Sequence, residues 1–239
     1  MGEMTKNSYF CITKAAIMNL SEAIKARHSV RSYDDRALTI AQIRELQTEI
    51  NRCNDNTGMH IQLVVNDPKA FGSKLAHYGR FQNVRNYFVI AGKKSRYLKM
   101  KAGYYGERLV LKAQTMGLNT CWVALTYSKN PDVMSIAADE HLVCVIALGY
   151  GINPGVSHKV KPREKVMRAS GEVPEWFLRG VDAALLAPTA LNQQRFTLTL
   201  KKGNRVKASA GFGPWTKIDL GIVRYHFEIG AGIDNFTWE

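Results

Sequence analysis

The sequence lacks any apolar run approaching the roughly 18–20 residues of a membrane-spanning helix, so we expect no membrane segment. Its four cysteines form no Cys-x-x-Cys pair, which argues against a disulfide scaffold and is typical of a reducing compartment. Its six histidines show no metal-ligand spacing. There is also no Walker loop, no Gly-x-Ser-x-Gly and no complete dinucleotide fingerprint. Enzymes whose chemistry is carried by a bound cofactor remain compatible with these absences.

The N-terminal stretch gives little information. Residues 1–16 show no clear periodicity and lack the hydrophobic region of a secretory signal, so we expect a cytoplasmic protein with an N-terminal arm of open role.

The chain of 239 residues is strongly basic, with 33 Lys and Arg against 20 Asp and Glu and a net charge of +13. The basic residues concentrate in three stretches, Lys93 to Lys112, Lys159 to Arg168, and Arg195 to Lys207. Such a charge raises nucleic acid as a partner, but no zinc-finger or RNA-recognition motif accompanies it, and we do not expect nucleic acid. Anionic cofactors would suit the same charge. A basic, non-catalytic binding module is the alternative.

Hydrophobic periodicity predicts four long helices and six strands. Thr39 and Gln42 have the spacing of a capping box at the start of the first of these helices. Because helices and strands do not alternate strictly, we expect an α+β protein with a mixed β-sheet between helices. The helices are 40–52, 99–116, 174–186 and 216–229, and the strands are 60–65, 87–92, 120–125, 142–148, 196–200 and 205–210.

A faint repeat relates the two ends of the chain. Helix 40–52 and strand 60–65 resemble helix 174–186 and strand 195–200 in pattern, and helix 101–116 has a counterpart in helix 216–229. Both a duplication and a chance similarity of pattern stay open at this point.

The segment Arg27-His28-Ser29-Val30-Arg31-Ser32-Tyr33 follows a short apolar-patterned stretch. In an extended chain, alternation would place Arg27, Ser29 and Arg31 on one side. Two guanidinium groups and a hydroxyl suit a phosphate, because arginine presents planar paired donors. A solvated basic surface is the other interpretation of the same residues.

This segment resembles the Arg-x-Ser-[Val/Ile]-Arg-x-[Tyr/Phe] opening of the flavin-dependent nitroreductase family. Residues 187–194, Ala-Pro-Thr-Ala-Leu-Asn-Gln-Gln, resemble a second family signature, Ala-Pro-Ser-x-x-Asn-x-Gln, which lies far later here than the usual family order. The resemblance is to the fused TM nitroreductase subfamily. It implies a nitroreductase-like three-layer fold with two related halves, 17–165 and 166–239, that form an internal pseudo-dimer.

The resemblance also implies an FMN site built from both halves. The first half would contribute its arginine segment to the phosphate, and the second would contribute its Asn-x-Gln motif to the flavin ring and ribityl chain. The residues carried over for these roles are Arg27, His28, Ser29 and Arg31, then Pro188, Thr189, Asn192 and Gln194. Without the resemblance, Asn192 and Gln194 could equally satisfy a loop backbone.

Two further groups carry over by resemblance. Leu125 and Thr126 occupy the place where the family has a backbone N–H near flavin N5, and Lys159 and Lys161 match a basic pair near N1 and the C2 carbonyl. Arg163 could replace one of these lysines. The lysines could also be ordinary surface charge.

The function implied is an FMN-dependent oxidoreductase with ping-pong hydride transfer from NAD(P)H to an electrophile such as a nitroaromatic or a quinone. A reductive dehalogenase or a flavin-destroying enzyme would share the flavin site and remains an alternative. One FMN per chain is expected, in a monomer or a homodimer. The electron acceptor and the choice between NADH and NADPH stay open.

Overall fold

The computed structural model describes residues 18–72 and 79–239, and the predicted arm at 1–16 lies outside them. The described chain has five α-helices: α1 (Leu20–Ala26), α2 (Ile40–Thr57), α3 (Leu98–Thr115), α4 (Glu175–Leu185) and α5 (Thr216–Ala231). Its eight strands are β1 (Met59–Val64), β2 (Asn86–Lys93), β3 (Asn119–Val123), β4 (Glu140–Gly149), β5 (Met167–Ala169), β6 (Phe196–Lys201), β7 (Arg205–Ala210) and β8 (Thr237–Trp238).

Local sequence signals explain several element boundaries. Thr39 Oγ1 accepts a hydrogen bond from the Gln42 backbone N–H at 3.2 Å, and Gln42 Oε1 accepts one from the Thr39 N–H at 3.0 Å. This is the predicted capping box of α2. The helix ends at Gly58, whose φ of 65° is the left-handed conformation that suits a helix C-terminus.

The first sheet is antiparallel, with strand order β1-β2-β4-β3. Its central strands, β2 and β4, have the longest apolar runs, and β2 is buried along nearly its whole length. One face packs against α2 and α3 through residues such as Leu46 and Leu109, and the other packs around Phe71 and Tyr87. A sheet covered on both faces explains why these strands are continuously apolar.

The second sheet has the order β5-β6-β7-β8, with parallel outer pairs and an antiparallel central pair. The β6–β7 hairpin turns at Gly203 and Asn204, whose φ values of 72° and 53° suit the tight turn that the sequence predicts. Its core is rich in aromatic residues, with Phe177 of α4 and Phe227 of α5 in edge contact.

Helices α3 and α5 cross where each presents a glycine. A Cβ atom on Gly103 would meet the backbone of Ile218, and one on Gly221 would meet the backbone of Met100 and Tyr104. The two helices, each associated with a different sheet, therefore pack backbone against backbone.

The α+β class is confirmed, with two four-stranded sheets of which one is mixed. The same order of elements, helix, strand, strand, helix, strand, occurs along the chain around each sheet. In the first sheet it is α2-β1-β2-α3-β3, and in the second it is α4-β6-β7-α5-β8. The division of the chain near residue 165 stays a prediction. None of the described helices combines the length and apolar character needed to cross a membrane.

Candidate active site

The arginine segment runs in an extended conformation directly after α1. Arg27 is the first residue beyond the helix, with φ −71° and ψ 120°. Ser29 pairs with Thr120 at the start of β3, and the Val30 N–H donates to the Thr120 carbonyl at 3.1 Å. Val30 is buried, while Arg27, Ser29 and Arg31 line one outer cavity. The structure thus brings together the three residues that the sequence pattern placed on one side.

The loop after α4 carries the second motif and has an unusual backbone. Leu191, Asn192 and Gln194 have φ values of 52°, 52° and 44°, in the left-handed region. Trp215, which precedes α5 and faces the same cavity as Leu191, has a φ of 58°. Non-glycine residues other than asparagine rarely adopt this conformation, and such backbone strain concentrates at functional sites.

Asp219 in the first turn of α5 holds this loop. Its Oδ1 accepts from the Ala190 backbone N–H at 2.9 Å, and its Oδ2 accepts from Gln193 Nε2 at 2.6 Å. The side chain is buried, and burial raises the pKa of the Asp219 carboxyl although both hydrogen bonds act in the opposite direction. The sequence analysis missed Asp219, because an acidic residue in a first helical turn is common for reasons of the helix dipole alone.

Two adjoining cavities lie between the segments. The inner cavity measures about 140 Å³ and the outer about 560 Å³. They share five lining residues, Ser29, Arg31, Pro188, Thr189 and Leu191. Both sequence motifs, far apart along the chain, therefore contribute to one continuous site.

The inner cavity is walled largely by apolar side chains. Trp122 of β3 lies on one side, and Trp215, Ile218 and Ile222 come from the start of α5. Apolar and aromatic walls of this kind are typical of sites that bind ring systems. The participation of Trp215 was not predicted, because an aromatic residue before a helix is more often a packing residue.

The outer cavity is cationic. Arg27, Arg31 and Arg80 line it together with His158, and none of the described residues around it is acidic. Arginine clusters of this kind bind phosphate and carboxylate groups. Arg80 and His158 were not predicted, since neither belongs to a recognised motif.

Arg27 is the buried member of this group, with 3% of its surface exposed. Its Nε has no hydrogen-bond partner among the described residues, and the nearest carboxylate oxygen, Glu107 Oε1, is 3.8 Å away. Burial lowers the pKa of Arg27, and the Glu107 charge acts against that shift. A buried guanidinium nitrogen without a partner is costly unless a ligand completes its hydrogen bonding.

The Asn-x-Gln side chains contact the segment that carries the predicted lysines. Asn192 Nδ2 and Gln194 Nε2 each donate to the Lys159 carbonyl at 2.8 Å, and the Lys161 N–H donates to Gln194 Oε1 at 2.9 Å. Lys161 Nζ donates to the carbonyls of Gln193 and Gln194 at 2.8 and 3.0 Å. The amides therefore satisfy loop backbone, as the alternative interpretation allowed, and they fix Lys161 beside the motif. Lys159 is exposed.

The remaining predicted residues lie at the margin. Trp122 to Ala124 line the inner cavity, whereas Leu125 is 63% exposed and neither it nor Thr126 lines the inner or the outer cavity. His28 is partly buried next to the outer cavity, and burial together with the charge on Arg27 lowers its pKa.

Arg163, the alternative to Lys159 and Lys161, lies away from the two cavities. Arg163 makes a two-point ion pair with Asp182 of α4, with Nε–Oδ1 at 2.6 Å and Nη2–Oδ2 at 2.5 Å. Neither residue lines the two cavities of the site.

One family sequence model, described as "Putative TM nitroreductase", matches residues 19–231. The chain belongs to this nitroreductase family. The solved structure of a nitroreductase-like protein from Thermotoga maritima is 21% identical, with a TM-score of 0.67 over 97% of this chain and 92% of that one. This likeness confirms the nitroreductase-like fold.

Two further solved structures share part of the fold of this nitroreductase family member. One is described as an NADH dehydrogenase/NAD(P)H nitroreductase from Bacteroides thetaiotaomicron, with 18% identity and a TM-score of 0.50 over 62% of this chain and 95% of that chain. The other is the nitroreductase NfrA1 from B. subtilis, with 16% identity and a TM-score of 0.50 over 61% and 72%. No curated protein matches the sequence.

Proposed function

We propose that this chain is an FMN-dependent oxidoreductase that uses NAD(P)H to reduce a small electrophile such as a nitroaromatic or a quinone. The observation that carries the proposal is the joined pair of cavities, in which a cationic pocket without acidic lining residues opens into an aromatic-walled space. Membership of a nitroreductase family supports an oxidoreductase. The solved structure described as an NADH dehydrogenase/NAD(P)H nitroreductase supports the choice of reductant.

The residues of the site fit FMN. Arg27 lines the outer cavity with Ser29 and Arg31, and a guanidinium group at this place suits a phosphate. The outer cavity of about 560 Å³ lies within the usual range for small-ligand sites, about 300–1,000 Å³. The adjoining inner cavity between Trp122 and Trp215 has the apolar walls that an aromatic ring system requires.

Each group of residues has a distinct task in this proposal. Arg27, Ser29 and Arg31 bind the phosphate, with His28 beside them. Pro188, Thr189, Asn192 and Gln194 form the strained loop that orients the ring system, and Leu125 and Thr126 border its reactive edge. Lys159 and Lys161 supply positive charge, which stabilises negative charge on a bound group. When bound, FMN supplies the hydride-transfer chemistry between NAD(P)H and the electrophile.

We also propose that the two halves of the chain, 17–165 and 166–239, form an internal pseudo-dimer with one FMN per chain. The repeated order of helices and strands around each sheet supports this division. The crossing of α3 and α5 gives the halves a shared packing interface. One arginine segment and one Asn-x-Gln loop per chain then form a single composite site.

The test is calorimetric titration of the apo-protein with FMN and with riboflavin. Because a hydrogen bond to a charged group contributes about 1.5–3 kcal/mol, FMN should bind at least about tenfold more tightly than riboflavin. Arg27→Ala should remove most of this difference and leave riboflavin affinity nearly unchanged. Arg44→Ala, at an exposed position on α2, is the control. Equal affinities of the unmodified protein for both ligands would exclude a phosphate role for the arginine segment.

Stoichiometry tests the composite site. One FMN per chain in a monomer is expected, by calorimetry combined with light scattering. Two FMN per chain would reveal a second site. Restoration of binding on mixing Arg27→Ala with Asn192→Ala chains would show that the halves meet between chains instead of within one.

The net charge of +13 favours a non-catalytic basic binding module as the second candidate. A colourless purified protein whose retention on immobilised DNA falls steeply with salt would support it over the flavin enzyme.

A further inference from the structure

A polar cluster lies buried behind the outer cavity, between the two crossing helices. Glu107 of α3 and His226 of α5 are both 0% exposed. Glu107 Oε1 lies 2.9 Å from His226 Nε2 and 3.8 Å from Arg27 Nε. Glu107 Oε2 accepts from Trp122 Nε1 at 2.9 Å. One carboxyl group thus contacts Arg27 of the cationic pocket, Trp122 of the inner cavity wall, and the opposite helix.

The hydrogen bonds of His226 fix the number of protons in this cluster. Its Nδ1 lies 3.0 Å from the Ala183 carbonyl oxygen, which can only accept, so Nδ1 carries a proton. Its Nε2 faces the Glu107 carboxyl, and a second proton must lie between these atoms. A neutral imidazole opposite an ionised carboxylate would leave two acceptors facing each other. The Glu107–His226 pair therefore retains one shared proton.

The neighbouring charges place this proton on the imidazole. The Arg27 guanidinium beside Glu107 favours the ionised carboxylate. Tyr225 of α5 also lies near Glu107 but is neutral, because burial raises its pKa to about 12. Arg27 and His226 then carry one positive charge each and Glu107 one negative charge, which leaves the cluster with a net charge of +1.

We propose that Glu107 and His226 are positioning residues for Arg27, a role that rests on the proposed anion site. The His226 imidazolium neutralises Glu107, so Glu107 does not draw Arg27 into a close ion pair and Arg27 keeps its charge for an anion in the outer cavity. Without the imidazolium, the nearest cation for the buried carboxylate is Arg27. A buried carboxylate requires such a partner.

Calorimetry with paired variants tests this role. His226→Gln keeps a neutral donor toward Glu107 but removes the positive charge, so FMN and inorganic phosphate should bind about tenfold more weakly or worse. Riboflavin affinity should change little. Glu107→Gln combined with His226→Gln removes both charges and should restore phosphate and FMN affinity to within a few-fold of the original. His141→Gln, at an exposed position on β4, is the matched control.

The protonation state has its own measurement. Nitrogen-15 NMR of the ligand-free protein should show both ring nitrogens of His226 protonated, as its hydrogen bonds to the Ala183 carbonyl and the Glu107 carboxylate require. Glu107→Gln should convert His226 to a neutral ring, because the glutamine amide can donate to Nε2. These spectra need no ligand and remain informative if His226→Gln does not fold.

The outcomes separate this role from the proposed cofactor. A neutral His226 in the unmodified protein, or additive losses in the double variant, would overturn the positioning role. Binding of inorganic phosphate without any binding of FMN would overturn the proposed cofactor alone, since the phosphate titrations and the NMR spectra would still test Glu107 and His226.

Discussion

Replacing Gly221 by alanine gives a direct test of the helix crossing beside the inner cavity. A Cβ atom at Gly221 would lie 2.6 Å from the backbone nitrogen of Tyr104 and closer still to the carbonyl oxygen of Met100. Both are backbone atoms of α3, so no side-chain rotation relieves the clash. An ordinary contact needs at least 3.4 Å. The helices must therefore separate by about 1 Å, which is enough to weaken the contacts on both sides of the crossing.

Two terms of opposite sign set the magnitude. Alanine is about 1 kcal/mol more favourable than glycine inside a helix, which would stabilise the variant. Overpacking against backbone and partial loss of contacts around Ile218 and Ile222 should cost about 4 kcal/mol, above the usual range of about 1–3 kcal/mol, because neither backbone can yield locally. We expect a net loss of about 3 kcal/mol. For a chain of this size, that lowers the Tm by roughly 6–12 °C.

Urea unfolding monitored by circular dichroism measures this loss. Lys217→Ala, at an exposed position on α5, should change stability by less than about 0.5 kcal/mol and serves as the control. Gly103→Ala should behave like Gly221→Ala, and the double variant should cost less than the sum, because one opening of the crossing relieves both clashes. A neutral or stabilised Gly221→Ala variant, as helix propensity alone predicts, would refute the close approach.

Three other predictions address the core, the thiols and the lysine segment. Tyr87→Phe removes the hydroxyl that donates to Asp67 at 2.6 Å and should cost about 1–3 kcal/mol in urea unfolding at neutral pH. Burial alone would raise the pKa of Asp67, but hydrogen bonds from Tyr87 and Asn130 lower it. The stability that the ionised Asp67 contributes is present above its unfolded pKa and is lost as pH falls through its folded pKa. The difference in unfolding free energy between the original protein and Tyr87→Phe should therefore narrow in acid, and a constant difference would contradict the reasoning. In a Cys11→Ser background, a thiol reagent should label no cysteine before unfolding, because Cys53, Cys121 and Cys144 are buried. Burial also raises the pKa of Cys53 to about 11 and that of Cys144 to about 12, which keeps both thiols protonated. Rapid labelling of the native protein would contradict this. Lys161→Met should lower the reduction potential of bound flavin while Arg163→Ala leaves it unchanged, and the reverse pattern in a potentiometric titration would assign the charge to Arg163.

Much of the fold could be predicted because local signals and periodicity agree. The capping box at Thr39 and the turn at Gly203 and Asn204 depend on neighbouring residues alone, and both form as expected. Two separate sheets instead of one could not be predicted, because strand pairing is decided by contacts between distant segments. The pairing of β5 with β6 in the second sheet could not be predicted for the same reason, because it joins two segments that are distant in sequence.

In the candidate site, too, the residues with a local sequence signal could be predicted, and those placed by tertiary packing could not. The alternation of Arg27, Ser29 and Arg31 is local, and these residues face one cavity as the pattern indicates. Asp219 and Trp215 carry no distinguishing local signal, and their positions depend on how α5 packs. The left-handed conformations at Leu191 and Gln194 run against residue preference, so only tertiary contacts explain them.

The segment between β4 and β5 passes beside the outer cavity and joins the two sheets covalently. The arginine segment and the Asn-x-Gln loop are therefore held at a fixed effective concentration, whatever the concentration of the protein. In the proposed single-chain site, assembly of the two walls is a unimolecular event, which dilution does not reverse. The length and stiffness of residues 150–166 then set the entropic cost of bringing the two walls together in a partly unfolded chain.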